Sequence, residues 1–206
     1  MDRPAHDPPR AVATILVAPH ELDGPEVVVE GQTYRHLFRA RRLATGESVR
    51  VVDGEGRARW ASVAGVERSR GILTLGADAQ TNEPTLLLDL LVAAPRPERA
   101  AWLVEKATEV GVAAIRFLST ARDPREYGEA TLHRLRRVAR AAVEQCQRAR
   151  IPEVSGGHRF SELSALAADG GPLVLLLDRD GSNSWELPVG PRAFLLVGPE
   201  GGFSAE

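Results

Sequence analysis

The sequence has a single cysteine, Cys146, so no intrachain disulfide can form and no cysteine cluster can hold zinc. It has a single lysine, Lys106, so nearly every cation is a guanidinium. Arginine suits bidentate phosphate contacts and base stacking better than lysine does; a codon bias toward Arg and Ala explains the same composition equally well. The five histidines, His6, His20, His36, His133 and His158, include no i, i+4 pair on one helix, and no protein-ligated metal is expected. A net charge of −2 excludes a polycation, so any nucleic-acid role must come from a local patch. No apolar run approaches the roughly 20 residues needed to cross a bilayer. The opening "MDRPAHDPPR" lacks the apolar centre of a secretion signal. The expected compartment is the cytoplasm, with no membrane partner.

What is present divides into two grammars. "AVATILV", "EVVVEG", "SVRVVDG", "RARWASVAGVE" and "GILTLG" are rich in β-branched residues and punctuated by Gly, Asp and Pro, as short strands are. Asp53-Gly54-Glu55-Gly56 reads as a hairpin turn. "GQTYRHLFRARRLATGE" is a helical or looped stretch between strands. Five closely spaced strands suggest a small β-barrel over residues 1–76. The polar "ADAQTNEPT" of residues 77–85 reads as a linker.

From residue 86 strands and helices alternate. "LLLDLLVAA" is a continuous apolar run, as in a strand buried on both faces. "PERAAWLVEKATEVG" reads as a helix with a glycine stop, and "VAAIRFL" as a strand. Residues 129–152 read as one long helix ended before Pro152. "FSELSALAADGG" reads as a short helix, and "PLVLLLD" and "RAFLLVG" as further strands. The expected fold class is therefore α/β: a small β-barrel followed by a mainly parallel α/β domain over residues 86–206.

The last strand runs into Gly198-Pro199-Glu200-Gly201-Gly202. Ligands of open α/β sheets bind outside the carboxyl ends of the strands. The glycines let a ligand approach the main chain. No Gly-Lys-Ser/Thr follows, so the loop is not a triphosphate cradle. It could hold an uncharged or zwitterionic ligand through backbone groups, or be a plain strand-to-helix turn with Ser204 as the helix cap.

"VGPEGGFSAE" resembles the signature of the RsmE-type 16S ribosomal RNA uridine-N3 methyltransferases of the SPOUT superfamily. "RPERAAWLVEKATEVGVAAI", "AAVEQCQRARIPEV" and "YRHLFRARRLATGESVRVVDGEG" resemble three further family segments, in the expected order. Val110 stands for a leucine of the family pattern, and Gly46-Glu47 for an acidic pair. The likeness runs from about residue 12 to the end.

The resemblance implies a PUA-like barrel that docks RNA and a trefoil-knotted α/β domain that holds S-adenosylmethionine, without a metal, in a homodimer. It makes Gly198, Pro199, Glu200, Gly201 and Gly202 the expected cofactor loop, flanked by Leu176, Leu177 and Asp178 of the preceding strand. Asp178 also reads as an ordinary strand-end turn residue. Arg122 matches an arginine of the family, although Asp123 replaces the serine beside it. Arg122, Glu144 and Arg148 are the catalytic candidates, Glu144 as a possible base.

Arg35, His36, Arg39, Arg41 and Arg42 form a cationic cluster expected to contact RNA phosphates; a scattered solvated surface is the plainer reading. Arg137 and Arg140 share a helix face with Glu144 and Arg148, and with Gln145 they are expected near RNA; ion pairs on a solvated face fit the same spacing. Leu132, Leu135, Ala139, Ala142 and Cys146 form the apolar stripe of that helix, with Cys146 as a small buried residue. Tyr34, Trp60 and Trp102 read as core or interface residues.

The implied reaction is methyl transfer to N3 of one uridine of 16S rRNA within the small ribosomal subunit. Family members continue beyond the Gly-Pro-Glu-Gly-Gly helix, so the expectation is a shortened chain with an incomplete knot, apolar strands uncovered around Leu195–Val197, and doubtful activity. A catalytically incomplete RNA-binding module, or a methyltransferase acting on another RNA such as tRNA, are the alternatives.

Overall fold

The computed structural model describes residues 11, 13–160, 172–178, 181 and 190–203. The helix expected over 160–171 and the cap at Ser204 lie outside the described residues, apart from Phe160. The chain divides into two compact units, Met1–Asn82 with Glu144–Arg150, and Glu83–Val143 with Ile151–Glu206.

In the first unit Thr14–Leu16 (β1), Glu26–Glu30 (β2), Ser48–Val52 (β3), Ala58–Val66 (β4) and Arg70–Asp78 (β5) form one sheet in the order β1-β3-β4-β5-β2. β1 is parallel to β3, and every other pair is antiparallel. The period of two decides which side is inside. In β2, Val27 and Val29 are buried while Glu26, Val28 and Glu30 face solvent. Ile15, Val49, Val51, Val63 and Leu73 make a core with Tyr34, Leu37 and Phe38. Those last three come from Gly31–Tyr34 (α1) and its π-helical continuation Arg35–Ala40, so the segment that could be helix or loop is helical here. A Cβ at Gly71 would lie 2.2 Å from a ring carbon of Phe38, so glycine is what lets this helix seat on the sheet.

The turn between β3 and β4 falls at the expected Asp53–Gly56. Oδ1 of Asp53 accepts the amides of Glu55, Gly56 and Arg57, and Oδ2 accepts Nε of Arg57 at 2.7 Å. Burial pushes this carboxyl up, but the hydrogen bonds from Arg57 and the turn amides outweigh it and hold it below the ordinary carboxylate value.

In the second unit Leu87–Ala93 (β6), Ala114–Ser119 (β7), Glu153–Arg159 (β8), Leu173–Leu177 (β9) and Arg192–Val197 (β10) form a wholly parallel sheet in the order β8-β7-β6-β10-β9. Pro97–Glu109 (α2) links β6 to β7, and Glu129–Cys146 (α3) links β7 to β8. Val92, Ile115 and Phe117 meet Ala100 and Val104 of α2 and Leu132, Leu135 and Ala139 of α3 in one core. Leu91, Leu118, Phe194 and Leu196 form a second cluster with Phe160 and Val174. The α/β class with a barrel-like first sheet and a parallel second sheet is thus the observed one.

Three local expectations need correction. α3 ends at Cys146, not before Pro152, because Gln147 takes a left-handed backbone (φ 61°) and its carbonyl accepts the Arg50 guanidinium. Cys146 is half-buried rather than buried, whereas Val143 is fully buried on the stripe. Residues 153–159 are a strand for which no strand was expected.

Asp89 is fully buried near the amino end of β6. It accepts Arg192 at 2.7 Å and Arg116 at 3.4 Å, while its Oδ1 has no partner.

Candidate functional site

A parallel sheet presents all its carboxyl ends on one side, which is where loops can build a site. At that side Val197 of β10 lies beside Val92 of β6 and Leu177 of β9. Gly198–Gly202 therefore leaves the sheet between two neighbouring strand ends.

The loop is shaped by four contacts. The Gly202 amide donates to the Pro199 carbonyl at 2.8 Å, closing a turn, and Gly202 has φ 70°, where a side chain would strain the backbone. Gly198 lies against the Phe203 ring, and an added Cβ would sit 2.9 Å from it. Phe203 stacks on Phe160 with centroids 4.5 Å apart. Arg122, in the segment after β7, donates to the Gly201 carbonyl, and its side chain lies 3.7–3.8 Å from where Cβ atoms of Gly201 and Gly202 would be. The structure thus brings Arg122 and the loop together, as a cofactor-site candidate and a catalytic candidate in one place.

Leu176 and Leu177 are 49% and 59% exposed, and Asp178 is also exposed. Successive strand residues face opposite sides of a sheet, so Leu177, paired with Val197 at the root of the glycine-rich turn, gives exposed apolar surface next to open main chain, the combination that a nucleoside needs, while none of the three lines the cavity at these strand ends. On these grounds the residues fit an adenosine-containing ligand. Leu195 and Val197 are only half-buried.

A cavity of about 660 Å³ opens at the same strand ends, lined by Val92, Ala93 and Ala94, by Gly198–Gly201, and by a rim of charged residues. The rim holds Arg96, Arg99, Arg122 and Arg125 against Asp123 and Glu200. Only Arg122 and Glu200 of these are site candidates on sequence grounds. Arg96 and Arg99 follow directly on a buried strand, a position the strand-end rule could have flagged; Arg125 carries no such signal.

The other candidates do not line this cavity. Glu144, Gln145 and Arg148 belong to the segment grouped with the first unit, whereas Arg122 belongs to the second. Glu144 and Gln145 are exposed, and Arg148 is buried at 7% exposure. Arg137 and Arg140 are exposed on α3. Arg35, His36, Arg39, Arg41 and Arg42 are all exposed around the end of the first unit's helical segment. Arg39 donates to the Arg68 carbonyl at 3.0 Å and lies over the Tyr34 ring. Tyr34 is core, Trp60 half-buried, and Trp102 is 66% exposed rather than core. Among the described residues no three His, Cys, Asp or Glu groups lie together to hold a metal, and no helix is long and apolar enough to cross a membrane.

The first unit has its own cavity, of about 530 Å³, lined by Arg57, Arg59, Asp23 and Asp78 among others. Its arginines are already engaged. Arg57 donates to Asp53, Asp23 and the Pro19 carbonyl, and Arg59 to the carbonyls of Leu22, Gly24 and Gly76.

Comparison with known proteins decides what this arrangement belongs to. Residues 81–206 match the RNA methyltransferase domain, and residues 29–75 match the RNA methyltransferase PUA domain. The chain belongs to the RNA methyltransferase family. It is 30% identical over 195 residues to ribosomal RNA small subunit methyltransferase E of Mycobacterium bovis, covering 89% of this chain and 74% of the relative. Its fold resembles a probable rRNA-methyltransferase from Porphyromonas gingivalis, with a TM-score of 0.75, 22% identity, and 94% and 82% of the two chains covered. It also resembles a ribosomal RNA small subunit methyltransferase E from Neisseria gonorrhoeae bound to S-adenosyl methionine, with a TM-score of 0.73, 21% identity and coverage of 94% and 82%. The Gly198–Gly202 loop and its cavity lie wholly within the RNA methyltransferase domain of this family.

Proposed function

We propose that this chain transfers the methyl group of S-adenosylmethionine to N3 of a uridine in 16S rRNA of the small ribosomal subunit. The observation that carries the reading is the Gly198–Gly202 turn at the parallel strand ends, with Arg122 bound to its main chain and Leu176 and Leu177 exposed beside it. Support comes from the small-subunit activity named for the Mycobacterium bovis relative and from the S-adenosyl methionine bound in the Neisseria gonorrhoeae structure.

Gly198, Pro199, Gly201 and Gly202 would meet the cofactor through main-chain groups, while Leu177, or Leu176 on the opposite side of the strand, would cover its apolar face and Glu200 and Asp178 would reach its polar atoms. The bound cofactor supplies a methyl group activated by a sulfonium. N3 of neutral uridine carries a proton and has no available lone pair, so that proton must leave to a base or to water as the N3–carbon bond forms and the sulfur–carbon bond breaks. Arg122 would steady the negative charge that grows on the uracil oxygens. Holding the two substrates in line supplies much of the remaining acceleration. Glu144 is the candidate base and Arg148, four residues further along the chain, a second catalytic candidate, both on the strength of the family resemblance.

The exposed arginines Arg35, Arg39, Arg41 and Arg42, with His36, would bind rRNA phosphates, as would Arg137, Arg140 and Gln145 on and near α3. A homodimer, a knotted second domain over residues 86–206 and a cytoplasmic location complete the proposal.

The test is to incubate the purified chain with labelled S-adenosylmethionine and small ribosomal subunits that lack the modification, and then analyse the nucleosides. Label in N3-methyluridine from 16S rRNA supports the reading. Label in a different nucleoside, or in tRNA only, changes the substrate; no transfer to either RNA refutes the activity.

A further inference from the structure

We infer that Arg96 and Arg99, on the rim of the strand-end cavity, are ligands for RNA phosphates flanking the reacting base. The inference deepens the methyl-transfer reading and rests on it. Four guanidinium groups line this cavity, and their partners differ. Arg99 meets Glu200 at 3.3 Å, and Arg125 meets Asp123 at 3.5 Å and donates to the Ala94 carbonyl at 3.0 Å. Arg122 donates to a neutral carbonyl, that of Gly201. The Arg96 carbonyl accepts the Ala100 amide at 2.9 Å, but its guanidinium makes no hydrogen bond or ion pair with any described residue. The two carboxylates balance two of the four cations, so the rim carries an excess of two positive charges.

That excess does not suit the cofactor. S-adenosylmethionine bears a sulfonium, an ammonium and one carboxylate, and is itself a net cation. A phosphodiester bears one negative charge and accepts two parallel hydrogen bonds from a guanidinium fork. The rim is therefore complementary to the nucleic acid, while the glycine turn and the exposed leucines offer the neutral surface that the nucleoside part of the cofactor needs.

Arg99 is poised for exchange. Its pair with Glu200 is 75% and 95% exposed on the two sides, and such pairs hold weakly. A phosphate can displace Glu200 from Arg99 at small cost. Arg96 sits at the mouth with its guanidinium in solvent, ready to meet the next phosphate. Arg125, tethered to the Ala94 carbonyl and to Asp123, is held in place and is not needed as a ligand.

The test uses a fluorescently labelled, uridine-containing single-stranded RNA and the full chain, with affinity measured across a salt series. The Arg96→Ala/Arg99→Ala double variant is expected to bind roughly tenfold or more weakly at low salt. Its plot of log affinity against log salt should be shallower by about 0.7 for each phosphate that is no longer neutralised, so by about 1.4 for both. Glu200→Gln, which releases Arg99, should bind the RNA more tightly. S-adenosylmethionine affinity, measured by calorimetry on the arginine double variant, should not fall, because the cofactor is itself a net cation. Both arginines are exposed, so folding is not at stake. An unchanged salt slope in the double variant overturns the inference, and so does loss of cofactor affinity with RNA affinity intact, which would make the rim a cofactor wall. Failure of the wild-type chain to bind S-adenosylmethionine would sink the methyl-transfer reading instead, and is read in a separate experiment.

Discussion

Gly198→Ala isolates one contact of the loop. Gly198 has an ordinary backbone, so alanine is not strained there for conformational reasons. The difficulty is steric: its Cβ would sit 2.9, 3.1 and 3.3 Å from three carbons of the Phe203 ring. The ring must move, and it is stacked on Phe160 at 4.5 Å with planes 25° apart. Displacing a stacked aromatic loses about 0.5–1.5 kcal/mol beyond its burial, and overpacking costs about 1–3 kcal/mol where the surroundings are tight. Phe203 is only half-buried, so a loss of about 1–2 kcal/mol is expected, together with weaker S-adenosylmethionine binding because Gly201 and Gly202 shift with the ring. Denaturant unfolding reads the first effect and calorimetry the second. In a Phe203→Ala background the ring is gone, and Gly198→Ala should then cost less than about 0.5 kcal/mol, a non-additivity expected of touching residues. Equal costs in both backgrounds would refute the reasoning, because the penalty would then have nothing to do with the ring.

Other perturbations follow from the same geometry. Gly71→Ala drives a Cβ to 2.2 Å from Phe38 and should destabilise the first unit by about 2 kcal/mol or more, seen as a lower urea midpoint. Asp53→Asn removes the charge that Arg57 pairs with in the β3–β4 turn. Since the folded carboxyl lies below its ordinary value of 3.8, the wild type holds this stability above that pH and loses it as pH falls through the folded value. The variant should be weaker near neutrality and show a flatter midpoint-against-pH curve in acid. Asp89→Asn leaves Arg116 and Arg192 without their buried carboxylate and should cost about 2–4 kcal/mol in denaturant unfolding. Arg122→Ala should lower kcat for methyl transfer by about 10²-fold, while Arg122→Lys restores little because the guanidinium fork is absent.

Much of the fold is legible in the sequence because it rests on periodicity. The alternation of Val27 and Val29 with Glu26 and Glu30, and the apolar run from Leu87 to Ala93, each announce a strand and its environment. Glu153–Arg159 is not legible. It carries two glycines and a single β-branched residue, and it is a strand because β7 pairs with it at the sheet edge and Leu132 packs on Gly156. The end of α3 is hidden for a similar reason. No glycine or proline marks Gln147, whose turn is fixed by Arg50, a residue nearly a hundred positions away in the chain. At the candidate site the glycine loop can be read directly. The arginine rim is legible only in part: Arg96 and Arg99 follow β6 closely in the chain, but Arg122 and Arg125 join them only when β6 and β7 lie side by side.

The most direct measurement is S-adenosylmethionine binding to the purified chain by calorimetry. One saturable site, weakened by Gly198→Ala and not weakened by Arg96→Ala/Arg99→Ala, is the result that the account predicts. A chain with a folded circular-dichroism spectrum and no detectable binding would contradict the assignment of the Gly198–Gly202 turn as a cofactor loop.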